Sequence, residues 1–280
     1  MNLHPYGESF MIEYLRILLK AMTVALIIVI PCKKGLYAGE MTLYFLPRAQ
    51  LHWEGSGFRQ FDEAWTVKVY QLGTGTGLRW REQMHKNLTL HVQYWRNNPR
   101  YADETGNVKS TNLNQTVRTK LDMHNLMVDV CHPLESSSIE VLAGIQGTCN
   151  RFQRQDIIFN TVVVSEQQEN LSGLGAYIGF HGGRTRMFYY DWEATLGHLF
   201  LTHNIQTAEG GSIHREGFTY NFRVEAGIQR NKWRFGIGYI CQLVQIMVPG
   251  GKTLPSGDAI SLPINKFDFF SPTLSVSYVY

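Results

Sequence analysis

Charged residues recur at alternate positions in several segments of this chain. Lys68 lies in one such segment and Arg79 and Arg81 in the next. His91, Asp129, Glu140, Asp191 with Glu193, Arg223 with Glu225, and Arg234 follow. Each has an apolar residue one position away, with Glu82 beside Arg81 the departure from the apolar set. Residues two apart on a strand share a face, so these groups would line one face and the apolar set the other. Setting His91 aside, Lys68, Arg79, Arg81, Arg223 and Arg234 oppose Asp129, Glu140, Asp191, Glu193 and Glu225, five bases against five acids. Such a set can pair into a plug, because an unpaired buried charge costs several kcal/mol. It can also form a charged constriction that selects solutes, but a selective pore biases one sign. The balance here favours the plug.

Catalytic chemistry has weaker candidates. One polar stretch holds His198, His203, Ser212 and His214, and an earlier one holds Asp103 and Glu104. No spacing among them fixes a nucleophile beside its base. His203 and His214 lack a third metal ligand at a fixed offset. Cys32, Cys131, Cys149 and Cys241 show no C-x-x-C spacing, so no metal, redox centre or cofactor is expected and no disulfide framework is needed.

The elements that carry these residues read as strands. Leu88, Leu90, Val92 and Tyr94 alternate with Thr89, His91, Gln93 and Trp95. The same pattern runs through Leu126–Cys131, Ile139–Gln146, Leu174–Phe180, Phe188–Leu196, Phe218–Ile228, Trp233–Tyr239 and the C-terminal Leu274–Tyr280. Trp65–Tyr70 and Leu78–Arg81 complete a count of about ten, with "GTGTG" (Gly73–Gly77) read as a turn between them. Short turns ("HKN", "HPLESSS", "HGGRT", "QRNK") take turns with longer stretches near 97–115, 152–172, 198–216 and 249–266. A twelve-strand alternative adds 40–53 and 156–164. It would move the long stretch 97–115 to the short-turn side, which disfavours it.

The net charge of +3 and the lack of a basic cluster argue against nucleic acid. Mean hydropathy is −0.18, too low for several transmembrane helices. The run Leu15–Pro31 has an unbroken apolar core only from Ala21 to Ile30. That is short of the roughly 20 residues a spanning helix needs. With charges before it and Ala38 and Gly39 after it, residues 1–38 read as a signal peptide, with Met11 an alternative start. An uncleaved anchor is the alternative. Pro31 fits poorly before Cys32 for a lipoprotein. Residues 39–61 form a lead-in and 62–280 the strand-built domain.

Strands can cross hydrocarbon only as a closed sheet, because each unpaired backbone group there costs several kcal/mol. Each strand here is long enough for the about 9–11 residues a crossing takes. Aromatics sit near strand ends: Trp65, Phe188, Trp233, Tyr278 and Tyr280 on one side, and Tyr94, Phe218, Tyr220 and Tyr239 on the other. Those are the expected interfacial girdles. A soluble sandwich or lipocalin-like barrel also alternates, but its outer face would not be poor in Lys and rich in Gly and Thr.

The signal peptide, the repeated alternation and the terminal "LSVSYVY" resemble bacterial outer-membrane β-barrel proteins. No motif selects a family within that group. The resemblance implies an all-β, closed antiparallel transmembrane barrel in the outer membrane. It implies surrounding lipid and the barrel-assembly machinery as partners, the latter reading Leu274, Val276, Tyr278 and Tyr280. A monomer is favoured. The expected role is membrane-structural or surface-exposed binding, with a small-solute porin and a barrel hydrolase acting on lipid or peptide as alternatives.

Overall fold

A computed structural model describes residues 39–280 except 59–63, 104, 109–114, 135–137, 160–161, 165–166, 185–186, 206–210, 247–249, 254–258 and 263. The signal peptide, Met11, Cys32 and Glu104 lie outside the described residues. Ten long strands make the barrel: β1 (Gly39–Phe58), β2 (Ala64–His85), β3 (Leu88–Pro99), β4 (Gln115–Pro133), β5 (Ile139–Phe159), β6 (Gln167–Arg184), β7 (Phe188–Ile205), β8 (Gly211–Arg230), β9 (Trp233–Ile246) and β10 (Ile264–Val279). Every pairing is antiparallel. Neighbours in sequence pair, β10 pairs with β1, and β4 pairs with β5, so the ring closes without an edge.

The expected fold class and strand number hold, but two strands differ from the sequence expectation. Residues 39–58 are a full barrel strand, not a lead-in, and Glu40 already pairs with Val279 of β10. The closing strand therefore meets β1, not Trp65–Tyr70, the first strand that the sequence reading counts. "GTGTG" is not a turn: β2 runs through it for 22 residues, with Gly73, Gly75 and Gly77 in register against β1 and β3. The reason is space. A Cβ on Gly75 would lie 2.5 Å from the Arg96 carbonyl oxygen and 2.7 Å from Leu46 Cδ1. The glycine face lets the large neighbouring side chains lie against bare backbone.

The backbone also explains the irregularity in β1. Pro47 has no N–H, and within a sheet proline belongs at an edge or a bulge; a closed barrel has no edge. β1 accordingly bulges at Pro47–Arg48, between Leu46 opposite Gly75 and Ala49 opposite Gly73. The register shift toward β10 spans the rung that carries Pro272. The bulge reverses the side-chain parity of β1. Thr42, Tyr44 and Leu46 point inward below it, and Ala49, Leu51 and Trp53 above it. Where β3 leaves β4 after Arg96, side-chain amides supply the missing partners. Asn97 Oδ1 accepts from the Met123 N–H, and its Nδ2 donates to the Leu121 carbonyl. Gln71 does the same for the Leu121 N–H and the Thr119 carbonyl.

All the short turns fall at one end. At β8–β9 the turn is two residues, with Asn231 in the left-handed region (φ 57°) that asparagine tolerates. The other connections fall at the opposite end: β3–β4 and β9–β10 are long, the latter including the hairpin Gly250–Thr253/Ala259–Leu262, whereas the stretches 152–172 and 198–216, read as long connections, are mostly strand. The three residues Val162–Val164 extend the β5 hairpin there, so 156–164 adds no barrel strand.

Polarity divides the barrel by height. In the half near the short turns the outer wall is apolar: Leu43, Ile145, Ile178, Phe180, Phe235, Ile237 and Leu274 are among its exposed residues. Phe188, Trp233 and Tyr280 rim its lower edge and Tyr94, Phe218, Tyr220 and Tyr239 its upper edge, as the girdle pattern anticipates; Trp65, expected at the lower edge, instead lies at the opposite end of the barrel, in register with Gly57. Above that level the outer wall turns polar, with Arg96, Arg151, Glu216, Gln245 and Lys266 exposed. The interior inverts at the same height. Below lie buried charges. Above lies a dry core of Leu46, Trp53, Trp95, Leu121, Phe152, Leu199, Phe267, Phe269 and their neighbours. Seven of the ten strands run 18–22 residues, about twice the length a bilayer requires, so the upper half is a soluble-type barrel built on a membrane-type one.

Ile178 is 65% exposed within the lower belt. Ile178→Arg should lower unfolding free energy in lipid vesicles by about 2–4 kcal/mol, whereas Thr202→Arg, above the belt, should change it by about 0.5 kcal/mol or less. Equal effects in denaturant titrations would contradict the assigned belt.

Candidate functional site in the barrel lumen

Nine of the ten charged residues assigned to the lumen by sequence point into it: Arg79, Arg81, Asp129, Glu140, Asp191, Glu193, Arg223, Glu225 and Arg234. Lys68 does not. Because β2 is continuous, parity carries through from Arg79 to a buried Val69, and Lys68 points outward above the belt, 3.4 Å from Glu54 on β1. Three further inward groups join them. Glu40 falls in the segment that the sequence reads as a lead-in, His181 falls in the "HGGRT" turn although it keeps the parity of Tyr177 and Gly179, and Tyr189 shares the parity of Asp191.

Asp191 is the hub. Its Oδ2 lies 2.5 Å from Arg79 Nη1 and 2.8 Å from Arg223 Nη2, and its Oδ1 contacts His181 Nε2. Arg79 is on β2 and Asp191 on β7, five steps apart around a ring of ten, so this pair spans the lumen between opposite walls. Glu40 Oε2 accepts from Arg234 at 2.5 Å, and its Oε1 lies 3.4 Å from Arg79. Glu140 accepts from Arg81 at 2.7 Å and meets His181 Nδ1 at the same distance. With both ring nitrogens against carboxylates, His181 can donate to both only as the imidazolium. Arg223 also lies 3.7 Å from Glu193 and 3.9 Å from Glu225, and Tyr189 donates to Glu225 at 2.6 Å. The Arg79 guanidinium stands 6.0 Å over the Tyr44 ring, within reach of the ring's negative face.

The residues considered for catalysis do not converge. His203 points inward and is buried, stacked on Phe152. His214 points outward, where Thr202 Oγ1 is 3.3 Å from its Nδ1. Asp103 is exposed, 3.9 Å from Arg118, and Ser212 lies in register with Asn204. His–acid pairs above the belt, His52–Asp268 at 3.4 Å and His198–Glu216 at 3.5 Å, stand on the outer wall on separate strands. Chemically the lumen network can hold charge and resist hydration; none of these groups faces a shared cleft.

The terminal strand behaves as expected in its parity. Leu274, Val276, Tyr278 and Tyr280 line the outer wall. Tyr280 caps it: its hydroxyl donates to Glu82 at 2.6 Å and accepts from the Trp80 indole at 2.8 Å. Glu82, out of place on an apolar face, thereby gains partners at the short-turn rim.

Arg79→Met should destabilise the folded barrel by about 3–5 kcal/mol, because it strands buried carboxylates. Unfolding titrations in detergent micelles check this. A loss below about 1 kcal/mol would mean water already screens the network.

No protein-family model matches the sequence, and no curated protein matches it. Among solved structures, the fold is similar to that of the outer membrane protease OmpT from Escherichia coli, with a TM-score of 0.68 at 10% identity over 88% of this chain and 99% of that one. The translocator domain of the autotransporter NalP from Neisseria meningitidis aligns at 10% identity over 95% and 97% of the two chains, with a TM-score of 0.42. The transport unit of the autotransporter AIDA-I from Escherichia coli aligns at 12% identity over 88% and 91%, with a TM-score of 0.43. At such identities the likeness to OmpT is one of fold, and the chain has the fold of the bacterial outer-membrane β-barrel proteins.

Proposed function

We propose that this protein is a sealed outer-membrane barrel that works as a surface-exposed binding platform. In this reading the short turns face the periplasm and the tall long-loop half stands outside the cell, where a ligand or partner meets its loops. The observation that carries the sealed state is the contact between Phe152 on β5 and Phe267 on β10. Those strands are five steps apart in the ring, yet the two ring centroids are 5.8 Å apart. Trp53 adds to Phe152 at 5.4 Å, and Trp95 stacks on Phe269 at 4.3 Å. Opposite walls thus touch through dry aromatic packing, and charged residues fill the lumen beneath. A porin needs a wet path past both layers. The hydrolase alternative has only the shared fold in its favour.

Purified protein in planar bilayers should show no stepwise conductance. Regular unitary steps from the native chain would overturn the sealed reading and favour the porin.

Export through a cleaved signal peptide and recognition of the last strand by the barrel-assembly machinery belong to the same proposal. The Tyr280–Glu82–Trp80 cluster supports it by tying the final residue to β2 across β1. Tyr280→Ser should lower membrane-assembled barrel several-fold while leaving synthesis and export intact. Unboiled gels of cell envelopes, which separate folded from unfolded barrel, report this. Unchanged assembly would remove the terminal tyrosine from the signal.

A further inference from the structure

We propose that the lumen of this barrel holds a divalent transition-metal site, of which zinc is the best fit, ligated by His91, Asp129 and Cys131. The sequence shows no metal motif, because His91 lies on β3 and the other two on β4, and neither a His nor a Cys recurs at a ligand offset. The fold supplies the missing proximity: Thr89 pairs with Cys131 and His91 with Asp129, and all three side chains take the inward parity.

Three atoms define the site. His91 Nδ1 lies 3.4 Å from Asp129 Oδ1 and 3.4 Å from Cys131 Sγ, and Sγ lies 3.3 Å from that same Oδ1. Tetrahedral zinc, with bonds of about 2.0–2.1 Å to nitrogen and oxygen and about 2.3 Å to sulfur, holds its donors about 3.3–3.6 Å apart. The triangle has that size in all three sides. A direct N–H···O bond would be about 2.7–3.2 Å, so the His–Asp spacing suits an intervening ion better than a hydrogen bond. The ring's Nε2 is also 3.8 Å from Sγ.

Two independent features point the same way. Tyr177 donates to the other carboxylate oxygen, Oδ2, at 2.6 Å. A ligating carboxylate is typically held by such an outer partner, which here leaves Oδ1 to face the His and Cys. Charge is the second. The inward residues of the lower half are four arginines (Arg79, Arg81, Arg223, Arg234) and six carboxylates (Glu40, Asp129, Glu140, Asp191, Glu193, Glu225). Asp129 is the carboxylate with no arginine or lysine partner among the described residues; its ion-pair contact is His91 alone. A divalent cation would complete its pairing. A nitrogen, oxygen and sulfur donor set suits zinc over magnesium or calcium. Three protein ligands leave a fourth position for water. Binding would release the Cys131 proton. The site stands two pairs from the end of β4, so an ion would enter from the short-turn mouth.

The test uses the full-length barrel, folded in detergent with its thiols reduced and stripped by chelator. Cobalt(II) should bind at one equivalent with a thiolate-to-cobalt charge-transfer band, and zinc should displace it. Cys131→Ser should lose the band, while Cys149→Ser and Cys241→Ser should keep it, since those thiols lie on the outer wall. Tyr177→Phe should weaken zinc binding by about 10–100-fold. Gel mobility of unboiled samples confirms folding of each variant, and Asp129→Asn, which keeps the side chain's shape, replaces Cys131→Ser if the latter does not fold. No stoichiometric band in the native protein, or a band that survives Cys131→Ser or Asp129→Asn, overturns the proposal.

Discussion

The closed hydrogen-bond ladder governs everything else in this molecule. A backbone group facing hydrocarbon has no water to turn to, so each strand must be paired on both sides. Ten strands satisfy that condition only because β4 meets β5 and β1 meets β10. Closure then constrains the sequence locally. Pro47 and Pro272 cannot donate to a ladder, and the fold gathers both at one irregular rung. Closure also fixes the width of the lumen. A ring of ten is narrow, and side chains from opposite walls reach each other, as Arg79 does Asp191 and Phe152 does Phe267.

From that width follows the chemistry of the interior. Charges in a lumen that cannot hold bulk water must pair, and pairing is what the lower layer does. The aromatic layer above strengthens the requirement: by excluding water from one side it lowers the effective dielectric around Asp191 and its arginines. The two layers also explain the outer wall. A segment surrounded by lipid is apolar outside and can be polar inside; one surrounded by water is the reverse. Inner and outer polarity switch at one height, just where the Pro47–Arg48 bulge reverses the parity of β1. The bulge lets that strand present Tyr44 to the charged layer and Leu51 and Trp53 to the dry one without breaking its pairing.

Much of this was legible in sequence. Period-two alternation in Leu126–Cys131 or Phe218–Ile228 fixes which residue faces which way, and parity alone places Asp129, Arg223 and Glu225 correctly. The failures have physical causes. A run of glycine and threonine has the composition of a turn, and only the bulk of Leu46 and Trp95 packed against Gly75 and Gly77 reveals a strand. Misplacing that turn broke parity at Lys68. It also set residues 40–53 aside: counted as a strand together with 156–164, they moved 97–115 to the short-turn side, whereas a continuous β2 leaves room for them as β1. His181 was lost to a neighbouring Gly-Gly pair. The lumen ion pairs themselves join strands that are remote in sequence, and no spacing rule predicts a partner five strands away.

The same geometry bears on where chemistry can reside. Residues that share the lumen are brought together by ring position rather than by sequence, so a constellation such as His91, Asp129 and Cys131 arises from adjacent strands with no motif to announce it. On the outer wall around the dry layer the reverse holds. His52, His198 and His214 sit on outward parity, each beside a partner on an adjacent strand, and none of the three is paired in register with another.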